Sequence, residues 1–272
     1  MMVVTLRWLI VVGLLVAFNK KSLARDWPSL KPHLGFLFVM GAFGFSVFNG
    51  LFFMAAEFTS AINMGIITAM MPVFVLVGAL LLYRTPTRKL QWVGALVTLL
   101  GVLVVASGGE IERLLQLRLN RGDLILVVAT IIYAAYTVGL RRRPNSSALG
   151  LFTVLAASAF LASLPMLLAE TLLGRVQLPT TQGWGLVVLV ALFPTLIAQI
   201  LFIRGVEIIG PGRAGIFVNL VPVFGTIIAV LYLGEKFQFF HGLALALVLG
   251  GLWLAEHGAV PGPVEKAGGA DL

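Results

Sequence analysis

Apolar residues run along the chain in long uninterrupted stretches, and the short segments between them hold most of the charge. A helix needs roughly 20 apolar residues to cross about 30 Å of hydrocarbon. Nine stretches qualify: 1–18, 34–56, 62–83, 90–107, 122–140, 149–169, 184–203, 214–233 and 237–256. They lack the alternation of apolar and polar positions that marks a membrane barrel strand, so each is predicted to be a spanning helix. The first does not read as a cleaved leader: its positive residues, Lys20 and Lys21, follow the apolar run, and no small-residue cleavage site comes after it. The predicted fold class is an all-α membrane protein of about nine transmembrane helices.

Composition agrees. Of 272 residues, 60% are hydrophobic and 11% charged, against about 25% charged in ordinary soluble domains. The bilayer is thus the partner for most of the surface. The net charge of +8 lies in loops, as membrane orientation requires, so nucleic acid is excluded as a partner. The absence of cysteine removes disulfides and thiolate chemistry. His33, His241 and His257 are scattered at predicted helix ends and form no ligand cluster. No metal and no cofactor are expected.

Loop charge alternates. Lys20, Lys21, Arg25, Lys31, Arg84, Arg88, Lys89, Arg141, Arg142, Arg143, Arg204, Arg213 and Lys266 make 13 of the 19 basic residues on one side. Arg113, Arg118, Arg121, Arg175 and Lys236 lie on the other. The positive-inside rule places the larger set, with the C-terminus, in the cytoplasm. Nine crossings then put the N-terminus outside. Either the first helix inserts in that orientation or a helix upstream of it is absent from this chain.

A shift of 150 residues aligns the sequence with itself without gaps over much of its length. Glu57 falls on Glu207, Gly65-Ile66 on Gly215-Ile216, Pro72-Val73-Phe74 on Pro222-Val223-Phe224, and Asn49 on Gln199. The organisation read from this is a first repeat at 1–107 with four helices, a connecting loop at 108–121, a second repeat at 122–257 with five helices, and a disordered tail at 258–272. An odd helix number inverts one unit relative to the other. The same shift places the partner of helix 122–140 before residue 1, which agrees with the charge count.

Several of these residues carry a family resemblance. Arg121-Gly122-Asp123-Leu124, running into Tyr133-Ala134-Ala135-Tyr136-Thr137 and Arg141-Arg142-Arg143, resembles the start of an EamA-type domain. So do Val221-Pro222-Val223-Phe224 with Leu233-Gly234-Glu235-Lys236, and Leu6-Arg7-Trp8 with Met71-Pro72-Val73-Phe74 in the first unit. The resemblance, over roughly residues 3 to 256, implies the drug/metabolite transporter superfamily: ten helices in two inverted five-helix units, here apparently lacking the first helix. The chain departs from that pattern again at Arg84-Thr85, where the second unit has Gly234-Glu235.

No helix centre holds an acid, so a buried proton carrier is not visible. Arg7 lies inside the first span, near its predicted outer end. It reads as a snorkelling interfacial arginine or, as the resemblance implies, as an anion contact at a cavity mouth. Asn49 and Gln199 must find partners, either as interhelical glue or as cavity lining. Thr130, Tyr133 and Thr137 share one helix face, and Tyr133 and Thr137 are candidates to face substrate. Asn219 is a candidate beside Pro222, which is expected to free the carbonyl at 218. Pro72 and Pro222 are predicted helix kinks. Gly234-Glu235 reads as a helix end and a following start. Glu57 and Glu207 are expected to make loop contacts, and Ala246 with Gly250 to pack closely against another helix.

The function expected is secondary transport, most simply export of a small organic metabolite such as an amino acid or a drug-like compound across a bacterial inner membrane. The neutral lining argues for an apolar or zwitterionic substrate, since an anionic one would want basic residues in the cavity. The alternative is an N-terminally truncated, non-transporting remnant or membrane assembly partner. An intramembrane enzyme would need acids, histidines or a metal site at mid-depth, which these helices do not supply.

Overall fold

A chain in lipid must satisfy its backbone N–H and C=O groups within each segment. In the computed structural model, which describes residues 1–84, 88–115, 120–232 and 236–258, the apolar stretches are accordingly helical. The described helices are α1 (Met2–Phe18), α2 (Lys20–Leu30), α3 (Leu34–Gly41), α4 (Phe48–Ala56), α5 (Ala61–Ala69), α6 (Met71–Tyr83), α7 (Lys89–Ala106) and α8 (Ile111–Leu115). There follow α9 (Arg121–Gly139), α10 (Ala148–Leu172), α11 (Thr181–Val190), α12 (Ala198–Ile209), α13 (Pro211–Phe217), α14 (Val221–Tyr232) and α15 (Phe239–His257). Several run end to end. Seven continuous helices are long and apolar enough to cross a membrane, among them Lys20–Ala56, Ala61–Tyr83 and Thr181–Ile209. With α1 and the run 211–232 they form nine helical passages among the described residues.

Two loops read from the sequence are partly helical. Segment 19–33 carries α2, whose Asp26 and Leu30 are buried while its basic residues face outward; the charges interrupt the apolar pattern without interrupting the helix. Loop 108–121 contains α8. Asp123 and Glu256 lie inside the spans read from sequence, each close to an end. Asp123 closes a capping box with Asn120 and accepts from Asn63 Nδ2 at 2.9 Å, which ties α9 to α5. Thr85, Arg118, the Gly234-Glu235 boundary, the Pro222 side chain and the tail after residue 258 lie outside the described residues.

The contacts reveal the inversion directly. Helices α7 and α15 are mates under the 150-residue shift, and they pack on one another. A Cβ at Gly94 would meet Gly251 O at 2.5 Å, and one at Gly101 would meet Ala244 O at 3.0 Å. Low numbers in one helix thus face high numbers in the other, and each contact maps onto the other when the mates are exchanged. Helices α1 and α10 behave likewise: the Met1 ammonium pairs with Glu170 at 2.7 Å, and Asn19 Nδ2 donates to Thr153 at 3.2 Å. Asn219 Nδ2 donates to the carbonyl of Ala69, its own mate, at 3.3 Å. Mated helices that run antiparallel across such self-contacts are related by a two-fold axis perpendicular to them, which for spanning helices lies in the membrane plane.

Glycine makes the α7–α15 seam possible, because any larger side chain at Gly94 or Gly251 would strike backbone atoms. The close face of α15 is Ala244, Val248, Gly251 and Ala255. The Ala246–Gly250 pair expected to pack closely does not: Ala246 is exposed, and no atom lies within 4 Å of a Cβ at Gly250.

Helix α9 packs on α4, α5 and α6 of the first unit and has no mate among the described residues. The positions it covers and their mates differ accordingly. Ala55 is buried and Ile67 is 7% exposed, while no atom lies within 4 Å of a Cβ at Gly205 and Phe217 is 41% exposed.

Candidate functional site

The two units share a feature that periodicity did not suggest. The helix between α3 and α4 widens to a π-helix at Ala42–Val47, and the helix between α11 and α12 does so at Ala191–Ile197. The 150-residue shift carries the first onto the second. In the second, Pro194 offers no N–H and its ring crowds the carbonyl one turn back; Thr195 Oγ1 donates instead to Val190 O at 2.8 Å. In the first, Gly44 lies under Tyr136 of α9, where a Cβ would meet the ring at 2.6 Å, and Ser46 Oγ donates across to Ala159 O at 2.5 Å. Wide turns of this kind concentrate at functional sites.

Between these two turns lies a cavity of about 170 Å³. The first unit contributes Phe45, Phe48 and Asn49; the second contributes Pro194, Thr195 and Gln199. Phe45 and Thr195 are mates, as are Asn49 and Gln199, so the cavity takes matched positions from both halves. Tyr133 closes one side from α9, and Arg7 and Trp8 close another from α1. The walls are aromatic: Trp8 stacks on Phe45 with ring centroids 4.9 Å apart, and Phe48 meets Tyr133 at 4.9 Å. Aromatic walls with convergent polar groups from Arg7, Asn49, Thr195 and Gln199 suit a small-molecule site.

The polar groups are unevenly satisfied. Asn49 Nδ2 donates to Phe45 O at 2.6 Å. Gln199 Nε2 donates to Tyr133 Oη at 3.2 Å, a tie between α12 and α9, and leaves Oε1 buried without a donor. Arg7 Nε and Trp8 Nε1 are both buried and have no acceptor. Buried polar groups are normally hydrogen-bonded, so three orphans lining one cavity point to a ligand.

Of the residues singled out by sequence, Arg7, Asn49, Tyr133 and Gln199 converge here. Two do not. Thr137 is fully buried and donates to Tyr133 O at 3.0 Å within its own helix. Asn219 is buried at the seam between the units, donating to Ala69 O and, at 3.0 Å, to Thr98 Oγ1. The carbonyl of Val218 accepts from the N–H of Val221, so it is not free as the proline rule suggested. Pro72 enters as an N-terminal residue of α6 immediately after the break at Met70, and Pro222 follows the 3-10 turn Val218–Leu220. Each proline thus sits just after an interruption of its helical run, Pro72 within Ala61–Tyr83 and Pro222 within 211–232. Trp8, Phe45, Phe48 and Thr195 were missed as lining residues; the signal that could have found them is Pro194 in a long apolar run, with Gly44 at the mated position.

A second tie links the end of α9 to α12 away from the cavity lining. Arg143, just beyond α9, pairs with Glu207 of α12 at 2.6 Å, and Arg204 joins at 2.9 Å. Glu57, the mate of Glu207, is exposed. Among the described residues no group of three or more His, Cys, Asp or Glu side chains could hold a metal ion.

Comparison with known proteins agrees with this architecture. The EamA-like transporter family profile matches residues 1–107 and 120–256. The uncharacterized transporter YetK of Bacillus subtilis is 28% identical over 270 residues, covering 96% of this chain and 81% of that protein. An uncharacterized transporter of Archaeoglobus fulgidus is 26% identical over 254 residues, covering 91% of this chain and 84% of its own. A protein of known crystal structure superposes with a TM-score of 0.75 over 93% of this chain and 85% of that one, at 20% identity, and so shares the fold. With matched repeats, a cavity between them and a family profile spanning nearly the whole chain, this multi-pass membrane protein belongs to the EamA-like transporter family.

Proposed function

We propose that the protein is a secondary transporter that exports a small organic metabolite, an amino acid or a drug-like compound, across a bacterial inner membrane by alternating access. The observation that carries this reading is the cavity itself, built from mated residues of two inverted units. Sites at the interface of such repeats are where secondary transporters bind substrate. The units 1–107 and 122–257 rock about Arg7, Asn49, Tyr133 and Gln199, and no covalent chemistry is needed.

The positive-inside count assigns the Arg143–Glu207 side, with the C-terminus, to the cytoplasm. On that assignment the two ties between α9 and α12, Tyr133–Gln199 and Arg143–Glu207, would close the cavity toward the cytoplasm. Both must break for substrate to enter from within.

The test is flux. Purified protein in proteoliposomes is expected to move at least one member of a broad amino-acid and small-amphiphile panel faster than protein-free vesicles. Cells expressing it are expected to tolerate higher loads of that compound. Absence of flux across the panel would reject the reading.

A further inference from the structure

Helix α2 lies where the chain turns over. Helix α1 runs antiparallel to α10, whereas α3 and the π-turn after it run parallel: a Cβ at Gly41 would meet Leu155 O, and Ser46 Oγ donates to Ala159 O. The link between them therefore carries the reversal, at the N-terminal end of α10. Asp26 fixes it there. Its carboxylate accepts from the Ser147 N–H at 2.9 Å and from the Ser147 hydroxyl. Gly150 leaves it room, since a Cβ at that position would strike the carboxylate. Helix α10 has 25 residues, about 37 Å at 1.5 Å per residue, which exceeds the roughly 30 Å of hydrocarbon. Its first turn, and α2 with it, thus lies at headgroup level.

One arc of α2 is turned inward and the other is basic. Asp26 and Leu30 are buried, with Ser22 and Leu23 half-buried on the same arc. Lys20, Lys21, Arg25 and Trp27 are exposed on the opposite arc, with Lys31 just beyond the helix end. Asp26 is the one acid in residues 1–56, and its oxygens are taken by Ser147 and Arg25. Glu207 and Glu256, the other described acids at this end of the molecule, pair with Arg143, Arg204 and Arg213. Lys20, Lys21 and Lys31 have no ion pair among the described residues. The positive-inside bias accounts for basic residues on this side. Their sorting onto one arc of a helix, beside a tryptophan, is the pattern of a surface that meets headgroups.

We propose that the outer arc of α2 binds the headgroup of an anionic phospholipid, of the phosphatidylglycerol type, in the leaflet on that side. Lys20, Lys21 and Lys31 supply the charge that meets the phosphate, on long apolar stems that let each ammonium reach it. Trp27 has the apolar ring and single N–H donor that suit the boundary between acyl chains and headgroups. A zwitterionic headgroup carries its own cation and answers the lysines less well. A soluble anion would meet the same lysines but would gain nothing from Trp27. The site is separate from the cavity and does not depend on what the cavity carries.

The experiment is native mass spectrometry of the purified full chain, released from mixed micelles that hold phosphatidylglycerol and phosphatidylcholine in equal amounts with the same acyl chains. Phosphatidylglycerol is expected to be retained about tenfold over phosphatidylcholine, the scale of one to two basic residues near an anionic surface. The triple variant Lys20→Gln, Lys21→Gln and Lys31→Gln spares Arg25 and the Asp26 anchor, and in it the preference is expected to fall to near unity. A control with the same change of charge on the same side, Arg84→Gln, Lys89→Gln and Arg142→Gln, is expected to keep most of the preference. Inorganic phosphate at a matching concentration is expected to leave lipid retention unchanged. Equal retention of both lipids by the native chain would overturn the proposal without any variant. So would a triple variant that keeps the preference, a control that loses it as fully, or displacement of the lipid by the phosphate. Should the triple variant not fold, the pair Lys21→Gln and Lys31→Gln takes its place. There the preference is expected to fall partway, and an unchanged preference would overturn the proposal.

Discussion

At the scale of single residues, small side chains and orphaned polar atoms explain most of what the site is. Gly44 lets Tyr136 approach the first π-turn, and a Cβ there would meet the ring at 2.6 Å. Tyr136 is itself buried, 2% exposed, and packs on Phe45 with centroids 4.9 Å apart. The ring also packs on Tyr133, with centroids 5.5 Å apart. Gly44→Ala is therefore expected to destabilise the fold by about 1–3 kcal/mol, the usual cost of overpacking, seen as a lower melting temperature in detergent; an unchanged melting point would show that the ring moves freely. Residue identity was only partly informative in advance. Asn49, Tyr133 and Gln199 stood out because amides and tyrosines are rare inside lipid, and they do line the cavity. Asn219 stood out for the same reason, yet it hydrogen-bonds across the seam between repeats. Polarity identifies a residue that needs a partner, and it does not say whether the partner is substrate or protein. Trp8 was hidden for the opposite reason: an indole among apolar residues looks like packing until its N–H is found without an acceptor.

At the scale of elements, the two π-turns separate what hydropathy can predict from what it cannot. A continuous apolar run predicts a helix, and each of the nine runs is helical over most of its described length. Hydropathy is blind to a local change in turn width, which depends on one missing N–H at Pro194 or one close contact at Gly44. It was equally blind to α2, because a basic amphipathic helix looks like a loop when only apolar length is scored. Pro194→Ala would restore a donor and remove the ring, so the second π-turn is expected to tighten toward α-geometry. Removing a proline from a helix interior relieves a penalty of up to about 3 kcal/mol. The variant is predicted to melt higher and to transport more slowly, since tightening would turn Thr195 and Gln199 away from the cavity. Higher stability with unchanged flux would show that the wide turn is not needed for function.

At the scale of the whole molecule, the inversion is the fact that organises the rest. It was legible in the shared Pro-Val-Phe and Glu positions of the 150-residue repeat, and it reappears as antiparallel packing of α1 on α10 and α7 on α15. The cavity was not legible, because it depends on how four separate helices meet. Alternating access requires that the cavity see each side of the membrane in turn. In the proposed cycle the ties between α9 and α12 hold one side shut, so Glu207→Gln, which keeps the shape and removes the charge, should shift the population toward the other state. The native chain has no cysteine, which makes a single reporter unambiguous. The decisive measurement is labelling of Asn49→Cys, in vesicles of known orientation, by a membrane-impermeant maleimide applied to either face. The predicted result is reaction from both faces, with the rate from the Arg143 side raised several-fold when Glu207→Gln is added. Reaction from one face only, unchanged by that substitution, would contradict a cavity that opens alternately between two inverted halves.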